Sequence, residues 1–476
     1  MRSGVTPFDN YSPSKVIFDN SIGGNSGNLV YAYSVYRALM TEDTEIASTH
    51  YRFDYSQNEI DKINEEYDCF AIPLADAFRP DRIEMLNKTA SFIRRLKIPS
   101  IVIGVGLRAP FEPDLAKDFP FDDAVKEFMD AVLDKSAIVG VRGQITSDYL
   151  TKLGYIEGKH HMIIGCPSMY MFGRDLNIRE TNITKDSFVC INNSALSSNN
   201  VLDFIERSCK EFKNGYFIPQ RLHELKMTYF GIPSKKDQNK PNYPHSIDHY
   251  LYEQDRVRFF TNFREWSQFI SKADFTFGVR LHGNIASVVS GTPSLVIPKD
   301  ARMREIVEYH NLTSVTASEI KDDTSIWDLI EKADFQAPIK NQHRNFDNYR
   351  NFLKLNELEN IFENDDNPES TPFDREISDT QLQPTVTTYN ACSRDERVMR
   401  TNEYMKYSNR VVKRLEAKLD KQVEIKKMLI TSIADKDKII ADKDRIIKDK
   451  DKIINLKSVR LAVKVSRFAG KLKKRK

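Results

Sequence analysis

The sequence lacks the features that would export the chain or anchor it across a membrane. None of its apolar runs approaches the roughly 20 residues that cross a bilayer as a helix. Its first residues are polar and contain proline, unlike the apolar segment of a secretory signal peptide. We therefore expect a cytoplasmic protein, or one that is peripheral at a membrane.

Cysteine is scarce, and the sequence contains no convincing metal motif. The five cysteines are odd in number and form no C-x-x-C pair: Cys69, Cys166, Cys190, Cys209 and Cys392. Such a set favours reduced, inert thiols over a disulfide framework. His245 and His249 stand four residues apart, but the glutamate of an H-E-x-x-H motif is missing between them. We expect no metal site.

A dinucleotide cofactor is also not expected. The segment Gly104–Ala109 matches G-x-G-x-x-A after a strand-like run. Pro110 and Pro113 follow at once, so no helix can begin there to hold a pyrophosphate. We interpret the glycines as a strand end that approaches another part of the backbone closely.

The overall charge is nearly balanced, but its distribution is uneven. A net charge of +3 over 476 residues gives no support for a nucleic-acid partner. In contrast, Lys457–Lys476 contains nine basic residues and no acidic one. Within 458–476, one predicted helical face carries apolar residues: Leu461, Val465, Phe468 and Leu472. A basic amphipathic helix can lie on an anionic membrane, and a solvated tail is the open alternative.

Strand-like and helix-like segments alternate over the first 340 residues, which predicts an α/β fold with parallel, doubly wound sheets. The predicted strands of the first set are Lys15–Asp19, Asp68–Leu74, Ser100–Val105, Ala137–Val141 and His161–Ile164. Those of the second set are Phe188–Ile191, Tyr216–Ile218, Arg256–Phe260, Phe275–Gly278 and Leu295–Pro298. A polar break at Gly173–Lys185 separates them. We predict two Rossmann-like domains, 1–178 and 179–338.

The remaining sequence predicts three further parts and a tail. A helix over 339–362 closes the second domain, and the polar segment 363–398 is typical of a disordered linker. Residues 399–457 predict a charged helix, with the seven-residue repeat ADKDKII, ADKDRII, KDKDKII suggesting a coiled coil. The isoleucines are adjacent, and the opposing heptad position holds Lys or Asp. A weak homo-oligomer and a solvated single helix both stay open.

The segment Ala273–Arg304 is the most informative for function. Arg280, Leu281, His282 and Gly283 follow the predicted strand Phe275–Gly278 and precede a small-residue helix. Ligands of α/β sheets bind outside the carboxyl ends of strands, and helix N-termini attract anions. Arginine and histidine at this position therefore predict an anion site with a titratable proton.

Three blocks of sequence together resemble the polysaccharide pyruvyl transferase family. The first is V-R-L-H-G-N at 279–284, followed by G-T-P and by D-x-R-x-x-E at 300–305. The second, Gly23–Asn28, resembles the family's G-N-x-G-D loop, with Asn28 in place of Asp. The third, Val141–Gly154, resembles V-R-D-x-x-S-x-x-x-L-x-x-L-G, with Gly143 in place of Asp and the serine one place later.

The resemblance implies a function and a set of site residues. The family transfers a pyruvyl group from phosphoenolpyruvate to a sugar, so the co-substrate is phosphoenolpyruvate and the acceptor is a glycan or lipid-linked sugar of an envelope or extracellular polysaccharide. No cofactor is implied. By resemblance, Arg142, Arg280 and Leu281 hold the donor, and His282 holds it and acts as the acid. Further substrate-binding residues would be Asn25, Asn28 and Arg302.

The same resemblance implies two domains that face a cleft, similar to a GT-B glycosyltransferase. A GT-B-like sugar-nucleotide glycosyltransferase is therefore an alternative function. A second alternative is a catalytically idle scaffold that acts through its C-terminal helix. The departures at Asn28 and Gly143 keep that alternative open.

Overall fold

The computed structural model describes residues 1–51, 55–234 and 240–473. The chain divides into two compact units, Met1–Asn402 and Glu403–Lys476. We call them the body and the C-terminal unit. The boundaries predicted within the body, at residues 178 and 338, stay predictions.

The body begins with helices: α1 (Pro13–Asp19), α2 (Gly27–Leu39) and α3 (Gln57–Glu66). The strand predicted at Lys15–Asp19 is therefore wrong. Pro13 occupies the first turn of α1, and Ser12 Oγ accepts a hydrogen bond of 3.3 Å from Lys15 N. A cap and an N-terminal proline favour a helix over the extended state that the apolar run suggested.

The first half of the body contains two pairs of parallel strands. β1 (Phe70–Pro73) pairs with β2 (Ser100–Ile103), and β3 (Val139–Val141) pairs with β4 (His161–Ile163). A parallel bridge between Val105 and Val141 joins the pairs in the order β1-β2-β3-β4. The intervening helices are α4 (Ile83–Arg95), α5 (Asp122–Leu133) and α6 (Gln144–Lys152). The alternation predicted from the sequence is confirmed here.

The second half contains a four-stranded parallel sheet in the order β6-β5-β7-β8. Its strands are β5 (Phe188–Asn192), β6 (Asn214–Phe217), β7 (Phe275–Gly278) and β8 (Ser294–Val296). Its helices are α7 (Asn199–Glu211), α8 (Leu222–Phe230), α9 (Tyr250–Glu253), α10 (Phe263–Ile270), α11 (Leu281–Val289) and α12 (Ala301–His310). The strand predicted at Arg256–Phe260 is reduced to two isolated bridges, a parallel one from Val257 to Phe217 and an antiparallel one from Phe259 to Val386.

One layer of the core is shared by both halves. Ile285 of α11 and Ile306 of α12 belong to the same buried cluster as Ile101 and Ile103 of β2. Helices that follow β7 and β8 of the second sheet therefore pack on the first one. The result is a mixed α/β body with parallel sheets, in which the carboxyl ends of strands from both sheets meet around α11.

The C-terminal part of the body corrects the predicted disordered linker at 363–398. Helices α13 (Ile326–Lys332) and α14 (Ala337–Leu355) are followed by α15 (Pro372–Asp379) inside that segment. Phe373 is fully buried, and Asp374 Oδ2 lies 2.7 Å from Nη2 of the buried Arg37. The polar composition was misleading because a few apolar side chains and one ion pair attach the segment to the body.

The C-terminal unit is helical. Helix α16 (Arg394–Asn455) is followed by α17 (Lys457–Lys473). Lys474, Arg475 and Lys476 of the predicted basic tail lie outside the described residues, as do the side chains of Phe468 and Leu472. Within the described part of the chain, none of the helices combines the length and apolarity that a membrane crossing requires.

Candidate functional site

The end of β7 fixes Arg280 against β5. Gly278 has φ +145°, and a Cβ there would lie 1.8 Å from Asn192 O, so this close approach requires glycine. Arg280 N then donates to Asn192 Oδ1 at 2.6 Å, and its Nε donates to Asn193 O at 2.7 Å. The guanidinium, 8% exposed, therefore lies at the carboxyl ends of two parallel strands, where the sequence predicted it.

His282 lies in the first turn of α11 and is enclosed by protein. Its ring stacks on Tyr31 with 6.2 Å between centroids, and Nε2 lies 3.9 Å from Cys166 Sγ. Burial lowers the pKa of His282 to about 3, and the positive charges of Arg142 and Arg302 add to the effect. The imidazole is neutral at neutral pH, and an anion bound beside it would favour its protonated form.

Gly27 of the N-terminal loop leaves room for this histidine. A Cβ at Gly27 would lie 3.0 Å from His282 Nδ1. The glycine of the Gly23–Asn28 block therefore lies against the histidine of the V-R-L-H-G-N block. Two segments about 250 residues apart form one site, as the predicted convergence of the motifs requires.

Arg142, at the end of β3, lies behind this histidine. Its Nε donates to Gly104 O, its Nη2 donates to Leu74 O at 3.3 Å, and its guanidinium lies 4.5 Å from the centre of the Tyr31 ring. The side chain is almost fully buried, with 1% exposed. Arg142 contributes positive charge to the site, while its role as a donor ligand stays a prediction.

Arg302 belongs to a network of ions around Asp76. Arg302 Nη1 lies 3.5 Å from Asp76 Oδ2, and Arg79 Nη1 lies 2.9 Å from the same oxygen. Burial alone would raise the pKa of Asp76, but Arg302, Arg79 and other nearby guanidinium groups lower it overall. The carboxylate is ionised and holds Arg302 beside the site. The sequence did not predict Asp76 as a site residue, because no recognisable motif follows the predicted strand Asp68–Leu74.

Lys299 is a further cation that the sequence analysis missed. It follows β8 and its Nζ donates to Ser194 Oγ at 3.1 Å. Burial lowers the pKa of Lys299 to about 7, with a further lowering by the nearby Arg280. Its position just after a strand that is adjacent to β7 was a usable signal, since the carboxyl ends of neighbouring parallel strands meet at one edge.

Gln220 Nε2 and Arg302 Nε are among the buried N–H donors that lack a hydrogen-bond acceptor among the described residues, and Arg302 Nε forms an ion pair with Asp300 Oδ1 at 3.7 Å. A Cβ on Gly283, in the first turn of α11, would lie 2.4 Å from Gln220 Nε2, so the amide reaches the N-terminus of that helix. Buried donors are rarely left without an acceptor, and an anionic ligand would supply one.

The side chains of Asn25 and Asn28 stabilise the loop that carries them. Asn25 Oδ1 accepts from Gly27 N at 3.0 Å, and Asn28 Nδ2 donates to Ile22 O at 2.9 Å. An aspartate at position 28 could not donate that hydrogen bond. The departure at Asn28 therefore has a structural reason in this chain, and substrate contacts by the two asparagines stay predictions.

The departure at Gly143 also has a structural reason. A Cβ at Gly143 would lie 2.6 Å from the Cβ of Glu305, so this space is taken. The Glu305 carboxyl group accepts 2.8 Å hydrogen bonds from Thr146 N and Thr146 Oγ1. Burial raises the pKa of Glu305 to about 8 despite these bonds. Glu305, the glutamate of the D-x-R-x-x-E block, thus packs against Gly143 of the Val141–Gly154 block.

A cavity of about 340 Å³ borders this site. Its lining includes Asn28, Tyr31, Tyr51, Asp76 and Arg82. Tyr31 also stacks on His282, and Asp76 also pairs with Arg302. The cavity therefore shares two wall residues with the cationic site.

No cluster of potential metal ligands is present among residues 1–51, 55–234 and 240–473. His245 Nδ1 lies 2.9 Å from Tyr243 O, and His249 Nε2 lies 3.7 Å from Glu206 Oε2. The two histidines thus have separate partners.

Several solved structures are similar to this chain at low identity. An uncharacterized protein from Klebsiella pneumoniae is 16% identical, with 62% of this chain and 90% of that one covered and a TM-score of 0.36. The UDP-GlcNAc 2-epimerase of Methanocaldococcus jannaschii is 13% identical, with 70% and 98% covered and a TM-score of 0.36. That of Neisseria meningitidis is 14% identical, with 66% and 79% covered and a TM-score of 0.33. Scores below 0.5 carry no conclusion about this chain.

No curated protein matches the sequence. The family model for polysaccharide pyruvyl transferase, in contrast, matches residues 85–300. This segment contains Arg142, Arg280, Leu281 and His282, whereas Asn25, Asn28 and Arg302 lie outside it. The resemblance of this chain to the polysaccharide pyruvyl transferase family is thereby confirmed over residues 85–300.

Proposed function

We propose that this protein transfers the pyruvyl group of phosphoenolpyruvate to a sugar of a polysaccharide or of its lipid-linked precursor. The observation that carries the proposal is a cluster of cations that follows adjacent parallel strands: Arg280 and Arg302 lie near Lys299, and Arg302 and Arg142 lie near His282. The family match supports transfer to a sugar. The donor and the chemistry below are our inference.

The donor fits the charge of the site. Phosphoenolpyruvate carries a phosphate and a carboxylate on three carbons, so it needs several fixed cations close together. Arginine pairs with both groups through its planar fork, whereas lysine acts as a point charge. Gln220 Nε2 has no hydrogen-bond acceptor among the described residues, and an oxygen of the donor would serve as one.

In the reaction we propose, two sugar hydroxyl oxygens form bonds to C2 of the donor while the bond from C2 to the phosphate oxygen breaks. One proton is added to the methylene carbon, which becomes the methyl group of the ketal. Of the two protons lost from the sugar hydroxyls, one accounts for this addition and the other leaves with the phosphate. His282 is the acid that protonates the methylene carbon. The negative charge of the bound donor offsets Arg142 and Arg302 and so raises the pKa of His282 from its low value.

We place the acceptor sugar in the 340 Å³ cavity beside this site. Aromatic rings pack on the apolar faces of sugars, and Asn, Asp and Arg side chains bind their hydroxyls. Tyr31 and Tyr51 supply rings, while Asn28 and Asp76 supply polar groups. The shared wall residue Tyr31 would bring a sugar hydroxyl close to the donor.

Calorimetric titration with phosphoenolpyruvate tests the donor site. Hydrogen bonds to charged groups contribute about 1.5–3 kcal/mol each, so Arg280→Ala and Lys299→Met should each weaken binding roughly ten- to a hundredfold. Lys213→Met is the matched control, because Lys213 is exposed and pairs with Asp186 on the surface. Unchanged binding in both site variants, or no binding by the unaltered protein, would reject the proposal.

The sugar-nucleotide glycosyltransferase alternative predicts a different product. Incubation with phosphoenolpyruvate and acceptor should release inorganic phosphate, whereas that alternative requires a nucleotide sugar and releases a nucleotide. The scaffold alternative predicts neither product. The concentration of cations with a buried histidine argues against the scaffold alternative. Both transferase hypotheses use an anionic donor, so the released product decides between them.

A further inference from the structure

Helix α16 carries apolar side chains at a strict seven-residue interval. Counting back from the end of the helix, the positions are Ile454, Ile447, Ile440, Ile433, Lys426, Leu419, Val412 and Met405. Seven of the eight are apolar, and the pattern extends well beyond the visible repeat at 434–454. Each of the seven is at least half exposed in the single chain.

This interval has a geometric consequence. A straight α-helix with 3.6 residues per turn drifts about 20° per seven residues, so the stripe would rotate by roughly 140° between Met405 and Ile454. No flat surface could contact it throughout. The stripe stays on one side only if the helix supercoils left-handedly around a second helix.

The neighbouring positions decide how the second helix runs. In the repeat, each isoleucine of the stripe is preceded by another, such as Ile439 before Ile440, and followed after three and four residues by Lys443 and Asp444. In a parallel, in-register pair, a stripe isoleucine faces its own copy with a second isoleucine of the partner beside it. The lysine faces its own copy, and the partner's aspartate lies beside it to offset the charge. An antiparallel pair would instead place isoleucine against lysine and aspartate against aspartate.

The helix has little to stabilise it as a single, fully solvated element. Aspartate and isoleucine are weaker helix formers than glutamate and leucine, and long helices in proteins owe most of their stability to packing of one face. The ion pairs within the repeat include Lys438–Asp435 at 3.8 Å and Lys452–Asp449 at 3.3 Å, both exposed. Exposed pairs of this kind contribute little.

We infer that residues 405–454 of α16 form a parallel, in-register two-stranded coiled coil with a second copy of this chain. The seam consists of the seven apolar stripe residues and of the isoleucines Ile439, Ile446 and Ile453 beside them. This inference is independent of the proposed function, because it uses no residue of the body.

Light scattering of the full-length protein after size-exclusion chromatography tests the seam. The expected mass is about twice the 55.1 kDa of one chain. The double variant Ile440→Gln and Ile447→Gln should shift it toward one chain at the same concentration. Met399→Gln with Met428→Gln is the control, since both side chains are exposed but lie off the stripe. A monomeric full-length protein, a mass of three or more chains, or equal effects of the two variants would overturn the inference.

Cysteine cross-linking tests the direction of the partner. Val412→Cys and Ile454→Cys, examined separately in the full-length protein, should both give disulfide-linked dimers under mild oxidation, because an in-register parallel pair brings each position next to its own copy. The native cysteines are buried except Cys69, which is partly exposed, so the unaltered protein is the control. An antiparallel pair allows at most one of the two cross-links, and that result would contradict the proposed arrangement.

Discussion

The body and the C-terminal unit obtain order in opposite ways. In the body, buried clusters combine residues distant in the sequence, such as Ile103 and Ile306. In the C-terminal unit, the described side chains beyond Asn402 are exposed or partly exposed. The order in its sequence is the seven-residue spacing of apolar side chains along α16. Single substitutions should therefore have large effects in the body, whereas in the helix only repeated changes along one stripe should matter.

The largest expected effect is that of His282→Gln on turnover. Glutamine keeps the size and some hydrogen bonding of histidine but cannot deliver a proton near neutral pH. A positioned acid contributes about 10²–10⁴-fold, so turnover should fall by that order while phosphoenolpyruvate binding is largely kept. Steady-state kinetics together with calorimetry would measure both quantities. Turnover close to that of the unaltered protein would exclude His282 as the acid.

The next effect concerns the stability of the body. Arg37 is buried and pairs with Asp374, with its Nη1 also donating to Met171 O at 2.9 Å. Removal of one partner of a buried pair costs about 3–5 kcal/mol, and Asp374 is a quarter exposed, so Arg37→Ala should lower the free energy of unfolding by about 3 kcal/mol.

Chemical unfolding measures this difference, with Arg375→Ala as the control. The Arg375–Glu42 pair joins the same two segments but is exposed on both sides, so its loss should cost no more than about 0.5 kcal/mol. Equal costs for the two variants would mean that the segment 363–398 is attached to the body more weakly than the structure indicates.

A third prediction concerns the basic segment. Lys464 and Arg467 of α17 are exposed. A basic residue near an anionic membrane contributes about 1 kcal/mol, so Lys464→Gln with Arg467→Gln should weaken binding to phosphatidylserine-containing vesicles by roughly 30-fold at low salt. The control variant Lys438→Gln with Arg445→Gln changes basic residues of the repeat at 434–454, where acidic residues alternate with basic ones. It should leave vesicle binding unchanged.

Co-sedimentation at low and high salt would measure this binding, since screening should remove it at high salt. Full-length protein that ignores the vesicles even at low salt would show that the segment does not act at membranes.

A smaller effect is expected in the pH dependence of donor binding. With its pKa at about 7, Lys299 loses its charge as the pH rises through neutrality, so donor affinity should fall over that range. A bound anion favours the charged form, and binding at pH 8 should therefore take up a fraction of a proton. Calorimetry in buffers of different ionisation enthalpy measures the uptake. Equal uptake by the Lys299→Met variant would assign it to another group.

The smallest expected effect is that of removing the C-terminal unit on donor binding. A chain that ends at Asn402 keeps the body, including the segment 363–398 that packs on it. Its affinity for phosphoenolpyruvate should agree with that of the full-length protein within about twofold. A larger loss would mean that the C-terminal unit contributes to the donor site.

Local patterns in the sequence were enough to predict the alternation of helices and strands. They were also enough to predict that Arg280 and His282 lie between a strand and a helix, since these elements follow one another there within a dozen residues. The functional roles of the two residues stay predictions. The seven-residue period of α16 is equally local. These features depend on neighbours in the chain, which is why a single sequence reveals them.

Only the tertiary structure decided the remaining features. Lys299, Asp76 and Gln220 join the site because strands far apart in sequence end at one edge, and no local pattern encodes that meeting. The segment 363–398 was misread for the same reason, because a few buried contacts with the body overrode a polar composition. Helix α1 was misread although its signals, the Ser12 cap and Pro13, are local to the sequence.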